Sequence, residues 1–228
     1  MYRYVLFDLD GTLTDPQEGI TACVQHALAA FGISEPADQL THFIGPPLHR
    51  SFMECYGFTD AEATEAVRVY RERFGMLGIF ENRVYEGVPE LLEELADAGV
   101  VTGVATSKPE PYAVRILEHF DLARHFAVVT GSNMDGSRTD KGDVIHEALT
   151  RLGQPSKREV IMVGDRKHDV EGARREGIDA IAVSWGYAPE GELEAAVPAF
   201  SASTLSDLRD LLLEEDDCVS GKGEESSI

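Results

Sequence analysis

The chain has 228 residues, 43% of them hydrophobic, which suffices for an ordinary globular core in one large domain or in a core carrying a smaller inserted one. A formal charge of −21 at pH 7 opposes binding to nucleic-acid polymers and to anionic membrane surfaces. It does not exclude a small phosphorylated ligand, whose charge a local metal ion and a few placed cations can meet.

Residues 4–7 are an apolar run that reads as a buried strand, and Gly11 and Thr12 end it just after two carboxylates, Asp8 and Asp10. Residues 16–31 carry Ile20, Val24, Ala27, Leu28 and Phe31 at helical spacing and stop at Gly32. Residues 36–43 and 48–56 read as short helices separated by Gly45-Pro46-Pro47. Thr59 opens a further helix, with Glu62 three residues on as its capping-box partner, and the pattern runs to Phe74. Gly75, Gly78 and Asn82 predict a looser stretch, and no strand is predicted in this block.

From Gly87 the rhythm changes. Helices are predicted over 89–98, 111–120, 143–152, 170–176 and 205–213, and strands over 100–105, 126–130, 160–163 and 179–183. This alternation predicts an α/β fold with a doubly wound parallel sheet, Rossmann-like, with helices on both faces. The block over 16–85 interrupts the series and reads as an inserted all-helical cap, leaving 1–15 and 86–213 as the core. Hinges are expected near Thr14-Asp15 and Tyr85-Glu86-Gly87. Residues 214–228 are acidic and lack periodicity, which predicts a disordered tail. Cys23, Cys55 and Cys218 lack metal-ligand spacing and fit thiols in a reducing compartment. With no long apolar span and no leader-like start, a cytoplasmic protein is expected.

Residues that carry chemistry gather at predicted strand ends. Asp8 and Asp10 are like charges held close, a costly arrangement unless a cation or a proton separates them. A parallel strand ending in such a pair places it in the crevice where open α/β sheets bind ligands. Thr106-Ser107-Lys108-Pro109 follows the strand at 100–105, and its hydroxyls suit either a phosphate oxygen or the start of the next helix. Lys141 opens a helix, where it opposes the helix dipole, a hint of a role as a point cation; Arg138 is its rival. Asp165 and Asp169 follow the strand at 160–163 and could reach a hard cation, although Asp169 alone also suits a helix N-cap. His168, beside two carboxylates, reads as a loop residue.

In this order, F-D-L-D-G-T-L-T-D, A-T-S-K-P, the Lys141 helix start and G-D-R-K-H-D resemble the haloacid dehalogenase-like hydrolase superfamily, to about residue 213. The helical insertion resembles the cap of the phosphoglycolate phosphatase-like branch. F-I-G-P-P-L-H-R-S-F and V-T-G-S-N-M-D-G-S-R-T-D-K are similar to bacterial proteins named phosphoglycolate phosphatase or 5′-nucleotidase. The resemblance implies a Mg²⁺-dependent phosphatase acting through an aspartyl-phosphate. Asp8 is then the nucleophile and Asp10 the acid and base. The ion would be held by Asp8, the Asp10 backbone carbonyl and Asp165, with Asp169 as a further ligand or anchor. Thr106 and Lys141, with backbone N–H groups after Asp8 and with Ser107 nearby, would bind the phosphoryl oxygens.

Asp10 favours phosphate over halide chemistry, since a halide leaving group needs no acid. The implied partner is a small phosphorylated metabolite, with phosphoglycolate or a nucleoside monophosphate leading. A β-phosphoglucomutase-like phosphomutase keeps the same motifs, and a non-catalytic phosphate-binding protein is the reading from another class. Gly45-Pro46-Pro47-Leu48 reads as a stiff loop over the site, with His49 and Arg50 touching the leaving portion, or else as a plain helix connection. A monomer or homodimer is expected.

Overall fold

The computed structural model describes residues 2–213, so the acidic stretch over 214–228 lies outside the described residues. In chain order the strands are β1 (Tyr4–Phe7), β2 (Thr14–Asp15), β3 (Arg83–Val84), β4 (Val101–Pro109), β5 (Phe126–Ser132), β6 (Val160–Gly164), β7 (Asp179–Val183) and β8 (Phe200–Ala202). Six of them form a sheet in the order β5-β4-β1-β6-β7-β8, parallel throughout. β1 lies between β4 and β6, with Phe7 opposite both Val104 and Val163. The residues that follow these three strands therefore emerge side by side along one edge of the sheet.

Side chains alternate across a strand, and β1 shows how both faces are buried. Val5 and Phe7 enter one apolar cluster and Leu6 enters another. The helices over residues 17–213 are α1 (Gln17–Ala29), α2 (Leu48–Tyr56), α3 (Asp60–Arg73), α4 (Val88–Asp97), α5 (Glu110–His119), α6 (Lys141–Arg151), α7 (Lys167–Glu176), α8 (Glu192–Ala196) and α9 (Leu205–Leu213). Val144, Ile145 and Ala148 of α6, with Val170 and Ala173 of α7, cover the Leu6 face. Leu91, Leu92 and Leu95 of α4 and Ile116 and Leu117 of α5 cover the other. The architecture is the α/β doubly wound sheet that the alternating pattern predicts.

Between β2 and β3 the chain is helical. α3 starts with the predicted capping box: the Glu62 N–H donates to Thr59 Oγ1 at 3.3 Å, and the Thr59 N–H donates to Glu62 Oε2 at 2.9 Å. Two features differ from the sequence expectation. Ala37–Phe43 is a 3₁₀ helix, a short stretch between extended Pro36 and extended Ile44. Phe74–Gly78 is a π-helical turn rather than loose chain, because Gly78 lies against the Gly19 carbonyl and the Cys23 sulfur, where no side chain fits.

The two connections to this helical block also contain short strands that the pattern does not predict. β2 and β3 pair as an antiparallel ribbon, Thr14 opposite Val84 and Asp15 opposite Arg83. Arg83 donates to Asp15 Oδ2 from Nε at 2.9 Å and from Nη2 at 2.6 Å. Strands of two residues carry no readable period, which is why the pattern misses them. The same holds for α8 and β8. Among the described residues no helix is long and apolar enough to cross a membrane.

Candidate active site

Asp8 extends β1, and its N–H donates to the Val163 carbonyl of β6 at 2.9 Å. The turn after it wraps on the Leu9 carbonyl, which accepts from Leu13 and Thr14 at 3.0 Å each. Gly11 sits in this turn at φ +84°, and a side chain there would collide with the Asp165 carboxylate. Glycine at this point lets the β1 turn approach the β6 turn. Thr12 Oγ1 donates to Asp165 Oδ1 at 3.3 Å and the Tyr187 N–H donates to Asp165 Oδ2 at 2.7 Å.

Asp8, Asp165 and Asp169 are buried, and each offers an oxygen within 4.8 Å of the others. Lys141 stands among them. Its ammonium is 3.0 Å from Asp8 Oδ1 and 2.7 Å from Asp169 Oδ1, and it donates to the Ala105 carbonyl of β4 at 3.1 Å. Burial opposes its charge, but Asp169 and Asp8 outweigh burial and hold the ammonium protonated. Asp169 is the third residue of α7 rather than its N-cap, and its Oδ2 accepts from the Arg166 N–H at 3.1 Å. Arg138, the rival cation, turns away: it donates to the Gly131 carbonyl at 2.9 Å and to Glu110 Oε2 at 3.1 Å.

The Asp10 carboxylate stands apart from the trio. Its Oδ2 is 2.7 Å from Lys108 Nζ, and its Oδ1 is buried without a hydrogen-bond partner among the described residues. Burial lifts the Asp10 carboxyl above its usual range; Lys108 opposes the lift and Asp8 adds to it. Thr106 is fully buried at the same sheet edge, where its hydroxyl accepts from the Lys108 N–H at 3.3 Å. It does not cap α5, which follows Pro109 with no side-chain cap: β4 continues to Pro109 through an irregular stretch after Ala105.

A cavity of about 1230 Å³ lies over this edge. Asp8, Asp10, Thr106, Ser107 and Lys141 line its floor, and Gly45, Arg50, Tyr70 and Phe74 face it from the helical block. The Gly45 loop is tied to the sheet side by Arg166, which donates to the Ile44 carbonyl at 2.7 Å and to Glu192 Oε1 at 2.8 Å. Arg50 is exposed and donates to Glu54 at 2.7 Å. Sequence reasoning did not single out Lys108, Arg166 or Tyr187.

The donor set suits a hard divalent cation: three buried carboxylates, all oxygen, too close to remain ionised together without added positive charge. Burial, then the Asp169 and Asp8 charges, push the Asp165 carboxyl up to about 8 from an ordinary 3.8. Burial also raises Asp169, with Lys141 pulling back. Between the ordinary and raised values the folded protein holds a proton that the unfolded chain has lost, so Asp165 makes stability fall as pH rises. Mg²⁺ is therefore expected to raise Tm more at pH 8 than at pH 6, where protons compete for the same oxygens. Differential scanning fluorimetry with and without Mg²⁺ at both pH values checks this, and a pH-independent shift would count against the cluster as the binding site.

The chain matches the model of the haloacid dehalogenase-like hydrolase family over residues 5–183. A 5′-nucleotidase from Pseudomonas aeruginosa is 50% identical over 212 residues, 92% of this chain and 96% of that protein. Tyrosine-protein kinase PtkA from Mycobacterium tuberculosis is 42% identical over 213 residues, 92% of this chain and 72% of that protein. The crystal structure of a predicted phosphatase from Clostridium acetobutylicum superposes with a TM-score of 0.90 at 44% identity, covering 93% of this chain and 99% of that one. With the carboxylates and lysine gathered at the sheet edge, these matches make the chain a member of the haloacid dehalogenase-like hydrolase family and one of its phosphatases.

Proposed function

We propose that this phosphatase hydrolyses a nucleoside 5′-monophosphate, or a phosphate monoester of similar size, with Mg²⁺ and through an aspartyl-phosphate at Asp8. The observation that carries the reading is the Lys141 ammonium, held between Asp8 and Asp169 on the floor of the cavity. Leu9 N–H and Lys141 engage Asp8 Oδ1, which leaves Oδ2 to attack phosphorus. As the ester P–O bond breaks, Asp10 gives its proton to the leaving oxygen. Asp10 then takes a proton from the water that attacks the aspartyl-phosphate, which releases inorganic phosphate and restores Asp8. Thr106, Ser107 and Lys141 hold the phosphoryl oxygens meanwhile. A Mg²⁺ ion held by Asp8, Asp165 and Asp169, with the Asp10 carbonyl, would offset the charge of the carboxylates and the phosphate dianion.

The cavity supports a nucleotide-sized ester over phosphoglycolate. Its volume of about 1230 Å³ exceeds what a two-carbon acid fills, and Leu48, Tyr112 and Met134 line it with apolar side chains that are at least partly exposed. The name of the 50% identical relative points the same way. The helical block then acts as a cap that closes over the substrate and reopens for release.

A phosphate-release screen over nucleoside 5′-monophosphates, phosphoglycolate and sugar phosphates, with Mg²⁺ or with EDTA, tests the reading. Release from the nucleotides with Mg²⁺ and none with EDTA is expected. A preference for phosphoglycolate would overturn the substrate assignment, and an isomeric phosphate ester in place of free phosphate would indicate a phosphomutase. Transfer from radiolabelled ATP to tyrosine, without phosphate release from any ester, would move the chain towards its kinase-named relative. Arg50→Ala is expected to raise KM for the preferred ester by less than about tenfold, while turnover of an aryl phosphate holds. Equal loss on every substrate, in steady-state kinetics, would assign Arg50 to the shared phosphate site or to structure.

A further inference from the structure

Lys108 has no part in the steps above, yet its surroundings are not those of a surface lysine. Its side chain is only 6% exposed, its ammonium is 2.7 Å from Asp10 Oδ2, and it lies 4.5 Å from the centroid of the Phe74 ring. An ammonium withdrawn from water is costly unless it is paired, and here a carboxylate and an aromatic face supply the pairing. Asp10 Oδ1, the other carboxylate oxygen, is buried and meets no partner among the described residues. Lys108 reaches Asp10 from the irregular end of β4, where the register against β5 shifts between Ala105 and Pro109. Phe74 comes from the opposite side: it belongs to the helical block, stacked on Tyr70 at 5.4 Å and set edge-on to Tyr112 of α5 at 5.3 Å.

We propose that Lys108 is the positioning residue of Asp10. It holds Oδ2 and so fixes the orientation of the carboxylate at the cavity floor, and Phe74 makes the clamp depend on the helical block lying over the sheet edge. The proposal rests on the acid and base role assigned to Asp10. A single ion pair is enough for this: a carboxylate held at one oxygen loses most of its freedom to rotate, and a proton transfer needs the donor within hydrogen-bond reach. Phe74 adds the coupling, since moving the helical block away would remove one of the two groups that keep the ammonium in place. A lysine that served only to fill space would leave all substrates equally affected by its loss.

The test compares Lys108→Met, Lys108→Arg and Phe74→Leu on an alkyl phosphate, whose leaving oxygen needs a proton, and on a nitrophenyl phosphate, whose leaving group does not. Lys108→Met is expected to lower kcat about 100-fold on the alkyl ester and less than about tenfold on the aryl ester, with little change in KM. Lys108→Arg should recover part of the alkyl activity, and Phe74→Leu should fall between wild type and Lys108→Met. Equal loss on both esters, or a change confined to KM, overturns the proposal. A wild-type protein inactive on both esters with Mg²⁺ would instead refute the phosphatase mechanism. The clamp is then decided by a crystal structure of Lys108→Met: a rotated Asp10 carboxylate supports it, and an unchanged one overturns it.

Discussion

Asp8→Asn is expected to fold as the wild type does and to lose phosphate release from an aryl phosphate by on the order of 10⁴-fold or more. The amide keeps the size of the side chain but cannot act as the nucleophile. Folding should survive because the substitution removes one charge from a crowded set: the Asp8 charge helps to push up both Asp165 and Asp169. Lys141 keeps its contact with Asp169 at 2.7 Å. Circular dichroism and Tm without Mg²⁺ report the fold, and steady-state kinetics report the activity. Turnover within tenfold of wild type would exclude a covalent role for Asp8.

Lys141→Met is expected to damage both activity and stability. Lys141 is 5% exposed and its ammonium meets two carboxylates and a carbonyl, so its loss leaves buried negative charge without a partner. Breaking a buried pair in this way costs about 3–5 kcal/mol. The loss should be greatest above pH 7, where the remaining carboxylates are driven to ionise, and smaller in acid, where they take up protons. Mg²⁺ should restore part of the stability and none of the phosphoryl contact, so kcat should stay down by about 10³-fold. Urea unfolding at pH 6 and pH 8, with and without Mg²⁺, reads the first effect. Unchanged stability at pH 8 without Mg²⁺ would mean that the trio does not depend on Lys141.

Much of this site could be read from the sequence because strand ends are easy to recognise. Asp8, Thr106 and Asp165 each follow an apolar run, and in a parallel sheet such ends converge on one edge. Lys141 stood out by a small misfit, a cation at a helix start, and the structure gives the compensation in Asp8 and Asp169. Lys108 is not marked out in the same way: within Thr-Ser-Lys-Pro nothing in the local pattern distinguishes it. Its burial depends on the irregular end of β4 and on Phe74, more than thirty residues earlier in the chain, and neither is visible in local pattern. Tyr187 is likewise unmarked, because its backbone N–H, not its side chain, meets Asp165. The ribbon of β2 and β3 was missed because pairing of two short segments 68 residues apart leaves no period to detect.

The claim on which the rest depends is the phosphorylation of Asp8, and rapid acid quench during turnover measures it most directly. Quenched protein, reduced with borohydride and mapped by mass spectrometry, should carry homoserine in place of aspartate at position 8, and Asp8→Asn should carry none. Modification at another residue, or none at all while phosphate is being released, would contradict the account.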